Sequence, residues 1–315
     1  MKQMVITRKE YSVPSKSGIA DVYARMWLPE SKPVAIFQIA HGMAEHGERY
    51  EEFARYLCGK GFAVLVDDHA GHGKSVKSDD DLGYFGENGG WDSFVEDERT
   101  LTEIVKNDYP DTPIIFFGHS MGSFIAREYI RRYGNDERIK AAVICGTSGK
   151  NPASAFAIRL AGAIIRIKGS RHRSNFINSV AFGTYNSRIK NSRTAFDWLT
   201  RDEKIVDEYI ADKYCGFLFT AAGYRDLFTI LDTVSKKEWY SAVPNELPLM
   251  IISGEEDPVG TYGKGIKQVY NDLKNSGQKD VTLNLYPQMR HEILNEFGKE
   301  KVFEDIALWA LSKIG

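Results

Sequence analysis

The amino-acid sequence predicts an α/β fold: a mainly parallel eight-stranded sheet with helices on both faces and an inserted helical cap. Three observations carry this. Short apolar runs alternate with stretches of helical periodicity, the runs are apolar at nearly every position, and the alternation breaks once before resuming. Runs that are apolar throughout read as strands buried on both faces, which is how helices cover a parallel sheet.

Taken in order, segments 5–13 and 21–28 alternate apolar with polar residues around Lys16-Ser17-Gly18, and so form an antiparallel edge hairpin. Apolar runs at 34–39, 62–66, 114–117, 141–144, 249–252 and 281–285 supply the other strands. Helical periodicity marks 50–60, 91–107, 121–133, 265–275 and 292–312. Between 144 and 249 lies far more chain than the dozen or so residues a crossover needs. That excess, helical and rich in aromatic residues such as Phe182, Trp198 and Phe228, is an inserted domain. The expected division is a core of 1–147 and 245–315 with a cap of 148–244.

The 315 residues, 43% hydrophobic and 27% charged, have the make-up of an ordinary globular chain. With 41 Lys and Arg against 43 Asp and Glu, the net charge of -2 offers no basic field for a nucleic acid partner. Cys58, Cys145 and Cys215 are odd in number and widely spaced, with no Cys-x-x-Cys pair, and read as buried thiols. The start of the chain lacks the apolar stretch of a secretory signal, and no run is long enough to span a bilayer, so the expected location is cytoplasmic.

Gly118-His119-Ser120-Met121-Gly122 matches Gly-x-Ser-x-Gly, directly after an apolar strand and before an amphipathic helix. A sharp strand-to-helix turn strains the central backbone and leaves no room for side chains beside it, hence the glycines. Ser120 is therefore the expected nucleophile. A serine hydroxyl needs a base to take its proton and a carboxylate to hold that base in the right tautomer. In folds with this turn the acid and then the histidine follow the serine, which leaves His172 and His291. His172 lies in a basic cluster of the insertion, whereas His291 follows the last strand and is the expected base. Ser253-Gly254-Glu255-Glu256-Asp257-Pro258 follows the preceding strand, and the proline fixes an extended aspartate, so Asp257 is preferred as the acid, with Glu256 the runner-up. The loop at His41-Gly42-Met43 ends another strand, so the backbone amides of Met43 and Met121 are the expected oxyanion-hole donors.

With these motifs in place the chain resembles the monoacylglycerol lipase and lysophospholipase branch of the α/β-hydrolases. The resemblance rests on the run from His41 to Tyr50, on Asp68-His69-Ala70-Gly71-His72-Gly73-Lys74-Ser75, on the serine motif, and on Asp257-Pro258-Val259 and Arg290-His291-Glu292. Gly47 stands where that family more usually has serine. The resemblance implies hydrolysis of a monoacylglycerol or similar single-chain lipid ester through a Ser120 acyl-enzyme, with no cofactor. It also implies that Asp68 to Ser75 is a structural turn; a metal site there would need clustered partners that the sequence does not show. An aminopeptidase of the proline iminopeptidase kind shares fold and triad, but the His-Gly-Gly-Pro-Gly loop those enzymes resemble is absent. A non-catalytic ligand receptor on this fold is the other alternative, and the intact motifs argue against it.

Within the insertion, 155–167 reads as a helix apolar on nearly every side, with Phe156, Leu160, Ile164 and Ile167 on one stripe and Ile158 and Ile165 on another. It runs into Lys168, Arg171, His172 and Arg173, a basic end suited to anionic head groups. Phe156, Ile158 and Ile165 are the expected substrate-binding residues, and the same helix is the candidate for peripheral contact with a membrane surface; simple burial between cap and core would give the same periodicity.

Overall fold

In the computed structural model, which describes residues 6–87 and 89–314, each apolar run is a strand. They are β1 (Thr7–Pro14), β2 (Asp21–Leu28), β3 (Ile36–Ala40), β4 (Ala63–Asp68), β5 (Ile114–His119), β6 (Ile139–Cys145), β7 (Leu249–Gly254) and β8 (Val281–Tyr286). The eight form one sheet in the order β1-β2-β4-β3-β5-β6-β7-β8. β2 pairs antiparallel with β1 and with β4, and the remaining pairs are parallel. Gly18, at φ 69°, closes the hairpin by donating its N–H to Ser15 O. Val5, where the first strand was expected to begin, lies outside the described residues.

The helices are α1 (Glu51–Gly59), α2 (Gly90–Asp108), α3 (Met121–Tyr133), α4 (Ser154–Lys168), α5 (Asn175–Phe182), α6 (Glu203–Ala211), α7 (Ala221–Val234), α8 (Lys237–Ala242), α9 (Lys264–Asn275) and α10 (Lys299–Ile314). Alternate residues of the central strands feed two cores. Phe37, Val64 and Phe117 pack with Phe53 of α1 and Phe303 of α10. On the other face Phe116 and Ile144 pack with Phe94 of α2 and Ile125 of α3. The last helix starts at Lys299 rather than 292, because Gly298 at φ 82° interrupts the helical backbone.

β3 lies between β4 and β5, so the chain passes from β3 to β4 on one side and then crosses back to β5 on the other. The crevice at such a reversal, beyond the carboxyl ends of the strands, is where open α/β sheets bind ligands. It brings together the loop after β3 and the turn after β5. Between β6 and β7 the described residues carry α4 to α8 and contribute no strand to the sheet. In α4, Ser154 and Ala161 are buried and Ile164 and Ile165 pack half-buried on the core, whereas Phe156 and Ile167 are 64% and 80% exposed. The expected four-residue stripe therefore does not share one environment: its two ends lie in solvent.

Candidate active site

Ser120 sits between β5 and α3 at φ 54°, ψ -119°, a conformation that side chains other than glycine rarely adopt. It is held by its N–H donating to Cys145 O at 3.0 Å and its carbonyl accepting from Ser123 N–H at 2.9 Å. The flanking glycines are steric necessities. A Cβ on Gly118 would stand 2.1 Å from Gly122 O, and one on Gly122 would stand 2.0 Å from Ala40 O.

His291 and Asp257 are 1% and 0% exposed, and His291 Nδ1 lies 2.9 Å from Asp257 Oδ2. That carboxylate also accepts from the Ser253 hydroxyl at 3.0 Å and from Val259 N–H at 2.8 Å, which fixes its plane. An acceptor at Nδ1 selects the tautomer that leaves Nε2 without a proton. Glu255 and Glu256 are exposed on the same turn and do not reach the ring. The imidazole lies between the rings of Trp198 and His119, with centroids 5.0 and 4.8 Å away. Gly146, at φ 59°, leaves it room, since a Cβ there would be 3.2 Å from His291 Cε1.

Ser120, His291, Met43 and Met121 line one cavity of about 490 Å³, whose walls include Phe124, Phe182, Phe217 and Phe228. Gly42 N–H is taken by Glu45 Oε1 at 2.6 Å and Ser120 N–H by Cys145 O. Among the described residues no protein acceptor takes the amides of Met43 and Met121. Phe156, Ile158 and Ile165 do not line the cavity; α4 contributes Ser154 and Ala157 instead. The reason is the register of α4, which turns its small residues towards the cavity and its large ones towards the core or solvent. His172 is also absent from the lining.

Sequence reasoning assigned no role to the charged network behind the site. Glu45 accepts from Gly42 N–H and from the Tyr50 hydroxyl at 3.0 Å, and pairs with Arg49 at 2.6 Å. Arg49 reaches Glu292 with both terminal nitrogens, and His119 contacts Glu45 at 3.4 Å. Burial opposes charge on Glu45, but Arg49 and then His119 outweigh it and hold the carboxyl well below its ordinary range. Burial likewise opposes the His119 cation, and its contact with Glu45 raises the imidazole above its ordinary value. The network ties together the loops that carry Met43, Ser120 and His291. The run from His41 to Tyr50 was the signal, but one sequence cannot say which of its charges meet.

The turn from Asp68 to Ser75 is built on Asp68, which pairs with Arg25 and accepts the N–H groups of Gly47 and Lys74. Gly47 makes room for this pair, since a Cβ there would stand 2.3 Å from Arg25 Nη1. His41 Nδ1 meets Gly42 O at 2.8 Å within its own loop, and its Nε2 accepts His69 N–H from the turn after β4.

A parallel sheet with this strained serine turn and these loops defines an α/β-hydrolase, and the enzyme is a carboxylic-ester hydrolase. A hydrolase family model described as serine aminopeptidase, S33, matches residues 31–298, and the chain belongs to that family. It is 29% identical to the monoacylglycerol lipase of Mycolicibacterium smegmatis over 98% of this chain and 99% of that one. It is 34% identical to a monoglyceride lipase homolog of monkeypox virus, over 93% and 95% of the two chains. A thermostable carboxyl esterase from Bacillus coagulans, solved in complex with glycerol, superposes with a TM-score of 0.92 at 32% identity, covering 98% of this chain and 99% of that chain. No helix among the described residues is long and apolar enough to cross a membrane.

Proposed function

We propose that the protein hydrolyses monoacylglycerols or similar single-chain lipid esters, with Ser120 as nucleophile, His291 as general base and Asp257 as the orienting acid. The single observation that carries the assignment is the 2.9 Å contact of His291 Nδ1 with a carboxylate that Ser253 and Val259 also hold, in a cavity shared with Ser120. Ser120 Oγ attacks the ester carbonyl as its proton passes to His291 Nε2. The tetrahedral oxygen is bound by the amides of Met43 and Met121, and the protonated histidine returns the proton to the leaving alcohol. Water then repeats the sequence on the acyl-enzyme and frees the acid. The largely apolar cavity of about 490 Å³ suits an acyl chain.

In this reading residues 148–244 are a cap over the cavity, and the enzyme is cytoplasmic and meets its substrate at a lipid surface. Support for that surface contact comes from Phe156 and Ile167 of α4 and Phe176 and Val180 of α5, all more than half exposed. Arg159, Arg166 and Lys168 lie exposed beside them with no ion pair among the described residues. The basic end of the helix is smaller than the sequence suggests, since Arg171 pairs with Asp81 and Arg173 donates to Leu218 and Leu82 carbonyls.

The test is turnover of p-nitrophenyl esters of increasing chain length, of monoacylglycerols and of Pro-β-naphthylamide, by wild type and Ser120→Ala. Monoacylglycerol and ester hydrolysis, with fluorophosphonate labelling, should disappear in Ser120→Ala while the fold persists. Labelling that survives would move the nucleophile elsewhere, and preferential cleavage of the amide would make the enzyme an aminopeptidase.

A further inference from the structure

Among the described residues, two groups of side chains outside the catalytic cavity bring metal-ligating atoms together: Asp67, His69 and Glu98, and His46, Asp212 and Cys215. The first is sealed. Its members are at most 1% exposed, and the His69 ring stacks on His41.

The second group joins two segments far apart in sequence; Cys215 is buried, but His46 and Asp212 reach solvent. His46 lies three residues beyond Met43, and its Nε2 is 2.8 Å from Asp212 Oδ2 at the end of α6. Their side chains are 12% and 34% exposed, so an ion has a route in. Cys215 follows on a turn closed by its own N–H to Asp212 O, and the next residue, Gly216, donates to Ala44 O at 2.9 Å. The Tyr209 hydroxyl donates to the same carbonyl at 2.8 Å. The backbone thus holds the three side chains together without any ion.

We propose that His46, Asp212 and Cys215 form a binding site for a thiophilic divalent cation of the zinc class, which joins the segment after α6 to the loop carrying Met43. One nitrogen, one carboxylate oxygen and one sulfur, all within 4.8 Å of one another, are the donor set and spacing that suit such an ion. Tetrahedral zinc, with ligands at about 2.0–2.3 Å, needs donors roughly 3.3–3.8 Å apart, so the side chains must adjust by on the order of 1 Å. A water molecule takes the fourth position. Asp212 adds a negative charge that Arg49, already committed to Glu45 and Glu292, does not neutralise. Burial first, with these carboxylates, holds the Cys215 thiol protonated, so the ion displaces its proton to solvent as the metal–sulfur bond forms. Cys58 and Cys145 are buried away from any such group and serve as internal controls.

Cobalt(II) is the probe, titrated anaerobically into the reduced full-length protein. The expected result is one equivalent bound, with near-ultraviolet thiolate-to-cobalt charge transfer and the visible bands of a four-coordinate ion, both removed by added zinc. Cys215→Ser should abolish the charge-transfer band, and His46→Gln and Asp212→Asn should each weaken binding by about 10–100-fold or more, given that even outer partners of a metal site are worth that much. Cys58→Ser and Cys145→Ser should keep the full signal. Circular dichroism separates loss of ligand from loss of fold, and His46→Gln tests the site even where Cys215→Ser does not fold. Absence of the band in wild type, its survival in folded Cys215→Ser, or indifference to His46→Gln would each overturn the proposal. None of these readouts uses ester turnover, so the result stands apart from the assignment of Ser120.

Discussion

Glu292, the residue directly after His291, is gripped by both terminal nitrogens of Arg49, at 2.8 and 2.7 Å. Arg49 in turn holds Glu45, whose other oxygen takes Gly42 N–H, so one guanidinium fixes the histidine loop against the loop bearing Met43. Replacing it by methionine leaves two buried carboxylates without their cation, a change that costs about 3–5 kcal/mol in comparable pairs. Arg49→Met should lower both the melting temperature and kcat, and Arg49→Lys should recover stability better than kcat, because an ammonium restores charge but not the fork. Equal recovery of both would mean that Arg49 acts on stability alone.

Asp257→Asn should keep the cavity but lose the carboxylate that selects the His291 tautomer. The corresponding change in a serine protease lowers kcat by about 10⁴-fold. Glu256→Gln, at an exposed position, should leave kcat within a few-fold of wild type. Steady-state kinetics with a soluble short-chain ester decide this, and a larger loss in Glu256→Gln would reassign the acid.

Serine at Gly47 should damage this chain. The new Cβ would stand 2.3 Å from Arg25 Nη1 and 2.7 Å from Asp67 O, so the buried Arg25–Asp68 pair must shift. Overpacking typically costs about 1–3 kcal/mol, and disturbing a buried ion pair adds to that. Chemical denaturation measures the loss. An unchanged midpoint for Gly47→Ser would show that Arg25 yields freely.

Asp67 Oδ1 and Glu98 Oε1 are both buried without a donor, and one proton on Glu98 satisfies the two together. Burial, and then the charge of Asp67, raise Glu98 well above the ordinary carboxyl range. A raised folded value places the sign: this stabilisation is complete below the unfolded pKa and is lost as pH rises through the folded one. Glu98→Gln, which keeps a donor without titrating, should therefore flatten that fall in unfolding free energy with rising pH. An unaltered pH dependence would place the proton on another group.

Phe156→Ser and Ile167→Ser should weaken binding to anionic vesicles and slow hydrolysis of long-chain monoacylglycerol there, with short-ester turnover and melting temperature unchanged. Ile165→Ser, by contrast, should lower the melting temperature, because Ile165 packs against the core. Vesicle co-sedimentation and calorimetry separate the two roles, and retention of vesicle binding by the double variant would remove α4 from the lipid surface.

The sequence by itself determined the sheet, the strand-to-helix turn at Ser120 and the pairing of His291 with Asp257 rather than its exposed neighbours. Those features are local: fully apolar runs have few folds open to them, two glycines and a strained serine are readable in five residues, and Pro258 restricts the residue before it. Tertiary structure alone decided which face of α4 meets the cavity, that Glu45, Arg49, His119 and Glu292 form one network, and that Gly47 makes room for Arg25. An all-round apolar helix carries no periodic signal to choose its buried side, so Phe156, Ile158 and Ile165 could not be sorted from Ala157 in advance. Charges separated by up to 243 positions, as Arg49 and Glu292 are, leave no spacing to read. Their pairing exists only because β3, β5 and the segment after β8 end at the same edge of the sheet, where low polarity makes each buried charge require the others.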